Sequence, residues 1–270
     1  MPRIQVGDVN LNYDAAGKGE PLLLIMGLGA SSAQWDPEVI TGLASAFRTV
    51  TFDNRGTGQS DKPDAPYSIE MFADDAVGLL DRLEIPRAHI FGVSMGGMIA
   101  QEFALRHSKR TATLTLGCTT TGGPHAVPPP PESLKALTAP REGLSPEDVI
   151  RRGWPLTHTP KYIAEHRDLL EATIPRLVAH PTPPYAFQRQ FQATFGLNTY
   201  DRLPQIKAPT LVVTGAEDVL IPAKNSEIIA ARIAGAKLHI IPDVGHAFMD
   251  ACDEFLEVFL PFAKSHPIAA

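Results

Sequence analysis

A serine framed by glycines, where an apolar strand-like run gives way to a helical one, constrains this chain more than any other feature. The run is Phe91-Gly92-Val93-Ser94-Met95-Gly96-Gly97. Before it, Ala88-His89-Ile90-Phe91 reads as a short strand; after it, Met98 to Leu105 reads as a helix. A chain that turns from strand into helix at one residue leaves that side chain at the tip of a sharp turn. Strand and helix then approach so closely that only small residues fit beside it, which accounts for Gly92, Gly96 and Gly97. The five-residue G-x-S-x-G pattern is weak in isolation, because an ordinary glycine turn can carry it. Its place between strand and helix makes it specific.

The 270 residues, 44% hydrophobic and 20% charged, suffice for one large α/β domain or two small ones. A net charge of −6 without basic runs argues against nucleic acid or an anionic membrane as partner. The start, Met1-Pro2-Arg3-Ile4-Gln5-Val6, lacks the apolar core of a signal peptide, and no run approaches the roughly 20 apolar residues of a membrane span. Cys118 and Cys252 cannot build a disulfide framework, and no Cys/His cluster has zinc spacing. The expectation is a cytoplasmic protein that needs neither metal nor cofactor.

Three textures follow one another along the chain. Residues 1–118 alternate strand and helix patterns. Ile4–Val6 and Val9–Tyr13 flank a Gly7-Asp8 turn, Pro21–Met26 is continuously apolar, and Arg48–Phe52 and Thr113–Leu116 are further strands. Phe72, Ala76, Leu79, Leu80 and Leu83 recur at helical spacing. Residues 119–200 break the rhythm with frequent prolines. Ser145-Pro146 and Thr159-Pro160 each set a capping hydroxyl before a proline suited to a helix start. Phe187, Phe191 and Phe195 make a stripe, more simply read as packing of this segment than as an acyl-pocket wall. Residues 201–270 resume the alternation with strands at Ala208–Gly215 and Lys237–Ile241, and with a Phe255/Phe259/Phe262 stripe. One α/β core, 1–118 with 201–270, interrupted by a helical cap at 119–200, is the predicted organisation.

A serine hydroxyl is a poor nucleophile until a base takes its proton, and the base needs orienting. The loop after the first late strand holds Glu217 and Asp218, and the loop after the second holds Asp243 and His246. In a parallel sheet these loops share the carboxyl edge with Ser94, where ligands bind. His246 is one of nine histidines, but the strand and glycine before it favour a catalytic role. Cys118, near the end of a buried strand, reads as a small apolar filler, while Asp53 and Arg55 read chiefly as loop braces.

These motifs, Gly92–Gly96 with Ser94, Asp53-Asn54-Arg55-Gly56-Thr57-Gly58, Gly215–Pro222 and Gly245-His246, resemble those of the α/β-hydrolases over essentially the whole length. Within that family the chain is similar to esterase and lactone-hydrolase branches, including 3-oxoadipate enol-lactonase-like and acyl-homoserine-lactone-hydrolysing enzymes, which would imply a quorum-quenching role. The resemblance implies an α/β-hydrolase fold: a mostly parallel sheet, helices on both faces and an inserted helical cap. It implies Ser94 as nucleophile, His246 as base and Asp218, rather than Glu217 or Asp243, as orienter. It also implies an oxyanion hole from the Leu28 and Met95 N–H groups, although Met26 stands where many relatives have histidine. Gly27, Trp35, Trp154, Leu220 and Phe248 are candidates for the substrate pocket. The implied reaction is cofactor-free hydrolysis of a small-molecule carboxylic ester or lactone through an acyl-enzyme, on a largely uncharged acyl group. Cofactor-free haloperoxidases or perhydrolases and carbon–carbon bond hydrolases share the triad, though many of the latter carry Ser-Gly-Pro-Gly where this chain has Met26-Gly27-Leu28-Gly29. A non-catalytic ligand receptor on the same scaffold would have lost a triad member, and none is lost. Oligomeric state has no sequence signature here.

Overall fold

The continuous apolar runs become the middle of one sheet. The computed structural model describes residues 2–268. Its eight strands are β1 (Arg3–Val6), β2 (Val9–Ala16), β3 (Pro21–Ile25), β4 (Arg48–Phe52), β5 (Ala88–Val93), β6 (Thr111–Gly117), β7 (Thr210–Gly215) and β8 (Lys237–Ile241). They lie in the order β1-β2-β4-β3-β5-β6-β7-β8. The β1–β2 hairpin turns at Gly7, whose φ of +54° suits a residue without Cβ. The hairpin joins the sheet antiparallel through β2 and β4, while all pairings from β4 to β8 are parallel.

Alternation along β3 shows how both faces are covered. Leu23 and Ile25 pack with α2 (Ile69–Arg82), α3 (Met95–Arg106) and α9 (Lys224–Arg232), through residues such as Phe72, Leu79, Ile99, Phe103 and Ile229. Leu22 and Leu24 pack on the opposite face with α1 (Pro37–Ala44) and α10 (Cys252–Lys264). The predicted stripes occupy these interfaces: Phe72, Ala76, Leu79 and Leu80 on α2 are fully buried, and so are Phe255 and Phe259 on α10. Phe91 of β5 stacks on Phe255 with ring centroids 5.2 Å apart. Burying such a ring contributes roughly 2–3 kcal/mol before conformational entropy is counted.

Between β6 and β7 lie five helices, α4 (Pro131–Thr138), α5 (Pro146–Thr157), α6 (Pro160–Glu165), α7 (Arg167–Leu177) and α8 (Pro184–Thr194). Both predicted caps form: Ser145 accepts from Asp148 N–H and Thr159 from Tyr162 N–H. The two ends of this insertion meet in a bridge between Gly122 and Asn198. Trp154, Leu170 and Ile174 give it a small core of its own. No helix among the described residues is long and apolar enough to cross a membrane.

The register sets the site. Ile25 pairs with Gly92, Val93 with Gly117, Gly117 with Val213, and Gly215 with Ile241. The strands therefore end almost level, and the loops after β3, β5, β6, β7 and β8 open onto one edge.

Candidate active site

Ser94 sits at φ 56° and ψ −123°, a backbone region that side-chain-bearing residues rarely adopt and that costs on the order of 1–3 kcal/mol. Its surroundings hold it there. Its N–H donates to the Gly117 carbonyl at 2.9 Å, and its carbonyl accepts from Thr119 Oγ1 at 2.8 Å and Gly97 N–H at 2.9 Å. The flanking glycines are required sterically. A Cβ on Gly92 would overlap the Gly96 carbonyl, one on Gly96 would overlap that of Ile25, and one on Gly97 would come within 2.6 Å of Thr119 Cβ.

Asp218 and His246 are brought together across the loops after β7 and β8. Asp218 Oδ2 lies 2.7 Å from His246 Nδ1, and its Oδ1 accepts from the Leu220 and Ile221 N–H groups, each at 2.8 Å. With the carboxylate accepting, Nδ1 carries the proton and the Nε2 lone pair is left outward, the tautomer a general base needs. Glu217 and Asp243 are exposed instead, and Asp243 adopts φ 59° in the turn before His246. Leu220 thus serves the site through its backbone.

His246 Nε2 lies 3.8 Å from Cys118 Sγ. Gly117 and Thr119, on either side of Cys118, are the residues that hold the Ser94 backbone, so Ser94 and His246 border the same loop after β6. No hydrogen bond joins Ser94 Oγ to His246; catalytic contacts of this kind are often long without substrate and tighten when it binds. Burial disfavours a charged His246, but Asp218 and then Cys118 override it, so the ring titrates well above the ordinary histidine value. Sequence reasoning missed this role of Cys118. Its signal was positional: the residue after β6 borders the residue after β5.

Gly27 packs against Ser94, since a Cβ there would lie 2.9 Å from Ser94 Cβ. Gly27 to Ala30 form a tight turn, closed by Ala30 N–H on the Gly27 carbonyl at 3.3 Å, with Gly29 at φ +68°. The Leu28 and Met95 N–H groups donate to no acceptor among the described residues. For Met95 this is inherent in opening α3, where the first N–H groups have no intrahelical partner. Met26, the departure from the family pattern, is buried, and its carbonyl accepts from Asn54 Nδ2 at 3.0 Å.

Other candidates sit elsewhere. Trp35 and Phe248 are core residues of the α1/α10 face, packed on Phe91 and Phe255 respectively, and Trp154 belongs to the small core of the inserted helices. On α8 Ala186, Gln190 and Ala193 are buried, while the phenylalanine stripe runs from half-buried Phe187, packed against Gly29 and under the Arg141 guanidinium at 3.9 Å, to Phe195, which is 73% exposed. Asp53 braces its loop, accepting from Ser32 N–H at 2.7 Å and Gln59 N–H at 2.8 Å, and Arg55 pairs with buried Asp75 at 2.6 Å. Cys118, Asp218 and His246 offer ligand atoms within 4.8 Å of one another. Both Asp218 oxygens are already engaged, which leaves two free donors and a poor fit to a metal.

A family-wide sequence model described as "Alpha/beta hydrolase family" matches residues 22–258. The 2-hydroxy-6-oxononadienedioate/2-hydroxy-6-oxononatrienedioate hydrolase of Paraburkholderia xenovorans is 32% identical over 254 residues, 89% of this chain and 85% of that protein. An enol-lactonase from Burkholderia xenovorans superimposes with a TM-score of 0.83 at 26% identity, covering 97% of this chain and 100% of the other. Est816, described as an N-acyl homoserine lactone degrading enzyme, does so with a TM-score of 0.80 at 30% identity, again over 97% and 100%.

Proposed function

Since this chain belongs to the alpha/beta hydrolase family and is a hydrolase of that fold, we propose that it hydrolyses carboxylic esters or lactones through an acyl-enzyme on Ser94. One observation carries the reading. Asp218 Oδ2 lies 2.7 Å from His246 Nδ1, and His246 Nε2 lies 3.8 Å from Sγ of Cys118, whose neighbours Gly117 and Thr119 hold the backbone of Ser94 at φ 56°.

In this reading His246 takes the Ser94 proton as Oγ attacks the carbonyl carbon. The carbonyl electrons move onto oxygen, where the Leu28 and Met95 N–H groups receive them. Asp218 holds the ring and stabilises the imidazolium. The tetrahedral carbon then expels the alkoxide, which takes the proton back from His246. Water, deprotonated by the same imidazole, releases the acid and regenerates Ser94. A lactone follows the same path with its leaving hydroxyl still tethered. The lactone-directed activities named for the enol-lactonase and for Est816 support this bond class.

The test is a substrate panel: p-nitrophenyl esters of rising chain length, γ-lactones, acyl-homoserine lactones and a vinylogous 1,5-diketone. Ester or lactone turnover is expected to fall by about a thousandfold or more in Ser94→Ala. Turnover of the diketone alone would move the chain to carbon–carbon cleavage, and wild-type hydrolysis by Ser94→Ala would remove the nucleophile.

A further inference from the structure

The turn that carries Leu28 is held from outside the sheet. Both polar backbone atoms of Gly29 are taken by side chains of the inserted segment. Gly29 N–H donates to Gln190 Oε1 at 2.8 Å, and the Gly29 carbonyl accepts from Thr182 Oγ1 at 2.9 Å. Gln190 is fully buried on α8, and its Nε2 donates to the Arg55 carbonyl at 2.8 Å. These partners fix the amide in one orientation, because reversing it would set N–H against N–H and oxygen against oxygen. Phe187, three residues earlier on α8, lies over Gly29, where a Cβ would come within 2.6 Å of its ring.

Gly29 N–H belongs to the central peptide of the Gly27–Ala30 turn. A glycine at the third position of a turn tolerates either orientation of that peptide, so the local sequence does not choose between them. The two side-chain bonds on Gly29 also anchor the turn as a unit, including the preceding Gly27–Leu28 peptide that bears the Leu28 N–H. The Gln190 oxygen removes the choice: a flip would point the Leu28 carbonyl at Oε1 and strand a buried acceptor.

We propose that Gln190, assisted by Thr182, is a positioning residue that anchors the Gly27–Ala30 turn through Gly29 and so holds the Leu28 N–H where the oxyanion forms. This rests on the serine-hydrolase reading above. It makes the reaction depend on α8 being seated on the core.

The experiment compares Gln190→Met, of similar shape without the two hydrogen bonds, with the pair Thr182→Val and Thr182→Ser. Loss of position costs the transition state more than the substrate, so kcat is expected to fall about 10- to 100-fold in Gln190→Met while KM stays within about twofold. Affinity for a trifluoromethyl ketone, whose serine adduct bears the oxyanion, should fall by the same factor as kcat, and affinity for the parent methyl ketone should not. Thr182→Val should move the same way by less, with Thr182→Ser restoring wild-type values. This pair decides the matter if Gln190→Met does not fold. Wild-type kcat in folded Gln190→Met or, where that variant does not fold, in Thr182→Val overturns the proposal, and so does a loss confined to KM. Ser94→Ala, run alongside, separates the two readings. Retained turnover there overturns the serine mechanism and the purpose of the clasp with it, whereas an inactive Ser94→Ala beside an unimpaired Gln190→Met overturns the clasp alone.

Discussion

At the scale of single residues, His246 is tuned from three directions. Burial opposes its charged form, Asp218 favours it, and Cys118 adds to Asp218 because sulfur can accept from an imidazolium N–H. In the proposed mechanism the raised value has a cost, since only the neutral ring can take a proton from Ser94. Activity should therefore rise with pH through a midpoint above 6.5. Replacing Cys118 by alanine removes the sulfur acceptor and keeps a small side chain. The kcat/KM midpoint of Cys118→Ala is expected to lie below that of the wild type. A pH–rate profile over both proteins measures it; coincident profiles would show that Cys118 only fills space.

At the scale of elements, the end of α5 is packed onto the loop that carries His246. The Thr157 carbonyl accepts from Ala247 N–H at 2.8 Å, and His158 Nε2 lies 3.6 Å from Asp250 Oδ1. Burial, with Asp36 adding to it and Tyr162 opposing it, pushes Asp250 up to about 7, and burial pushes His158 down to about 4. A carboxyl whose folded value exceeds its unfolded value binds its proton more tightly when folded. Its stabilising share is full below about pH 4 and is lost as pH rises toward 7. His158 has the opposite slope between about pH 4 and 6.5, which masks the effect in the wild type. Asp250→Asn should therefore gain stability relative to wild type between about pH 4 and 7, by at most about 4 kcal/mol, with a constant difference above that. Urea unfolding at pH 4, 5.5, 7 and 8 reads this directly, and a pH-independent difference would contradict it.

The same junction shows what the sequence could reveal. Strands buried on both faces and helices with a single stripe announce themselves through short-range pattern, so β3, β5, α2 and α10 were legible residue by residue. The proline-linked capping hydroxyls Ser145 and Thr159 were legible for the same reason. Contacts between segments far apart in the chain leave no such pattern. Cys118 against His246, Gln190 against Gly29 and Thr157 against Ala247 all arise from where the sheet edge and the inserted helices meet. A helical period says which residues share a face and not what that face meets: Phe187 packs on Arg141 and Gly29, while Phe195 on the same stripe is exposed.

At the scale of the whole molecule, register and topology perform the assembly. Strands β3 and β5 to β8 end level, and the residues beyond them (Gly27 to Gly29, Ser94, Cys118, Asp218 and His246) converge although they span most of the chain. The five inserted helices enter from the same edge and grip the core through Arg189 on Asp64 at 3.0 Å, Tyr185 on the Lys62 carbonyl at 2.9 Å and the Gln190 amide. In the proposed mechanism the carbonyl carbon sits beside Ser94, between the Asp218–His246 pair and the N–H groups of Leu28 and Met95. The most direct measurement is the intact mass of the protein quenched in acid within milliseconds of mixing with a p-nitrophenyl ester, followed by peptide mapping. A transient mass increase of one acyl group is expected on the peptide containing Ser94, absent from Ser94→Ala. An acyl group on another residue, or steady hydrolysis with no acylated species at any time, would contradict it.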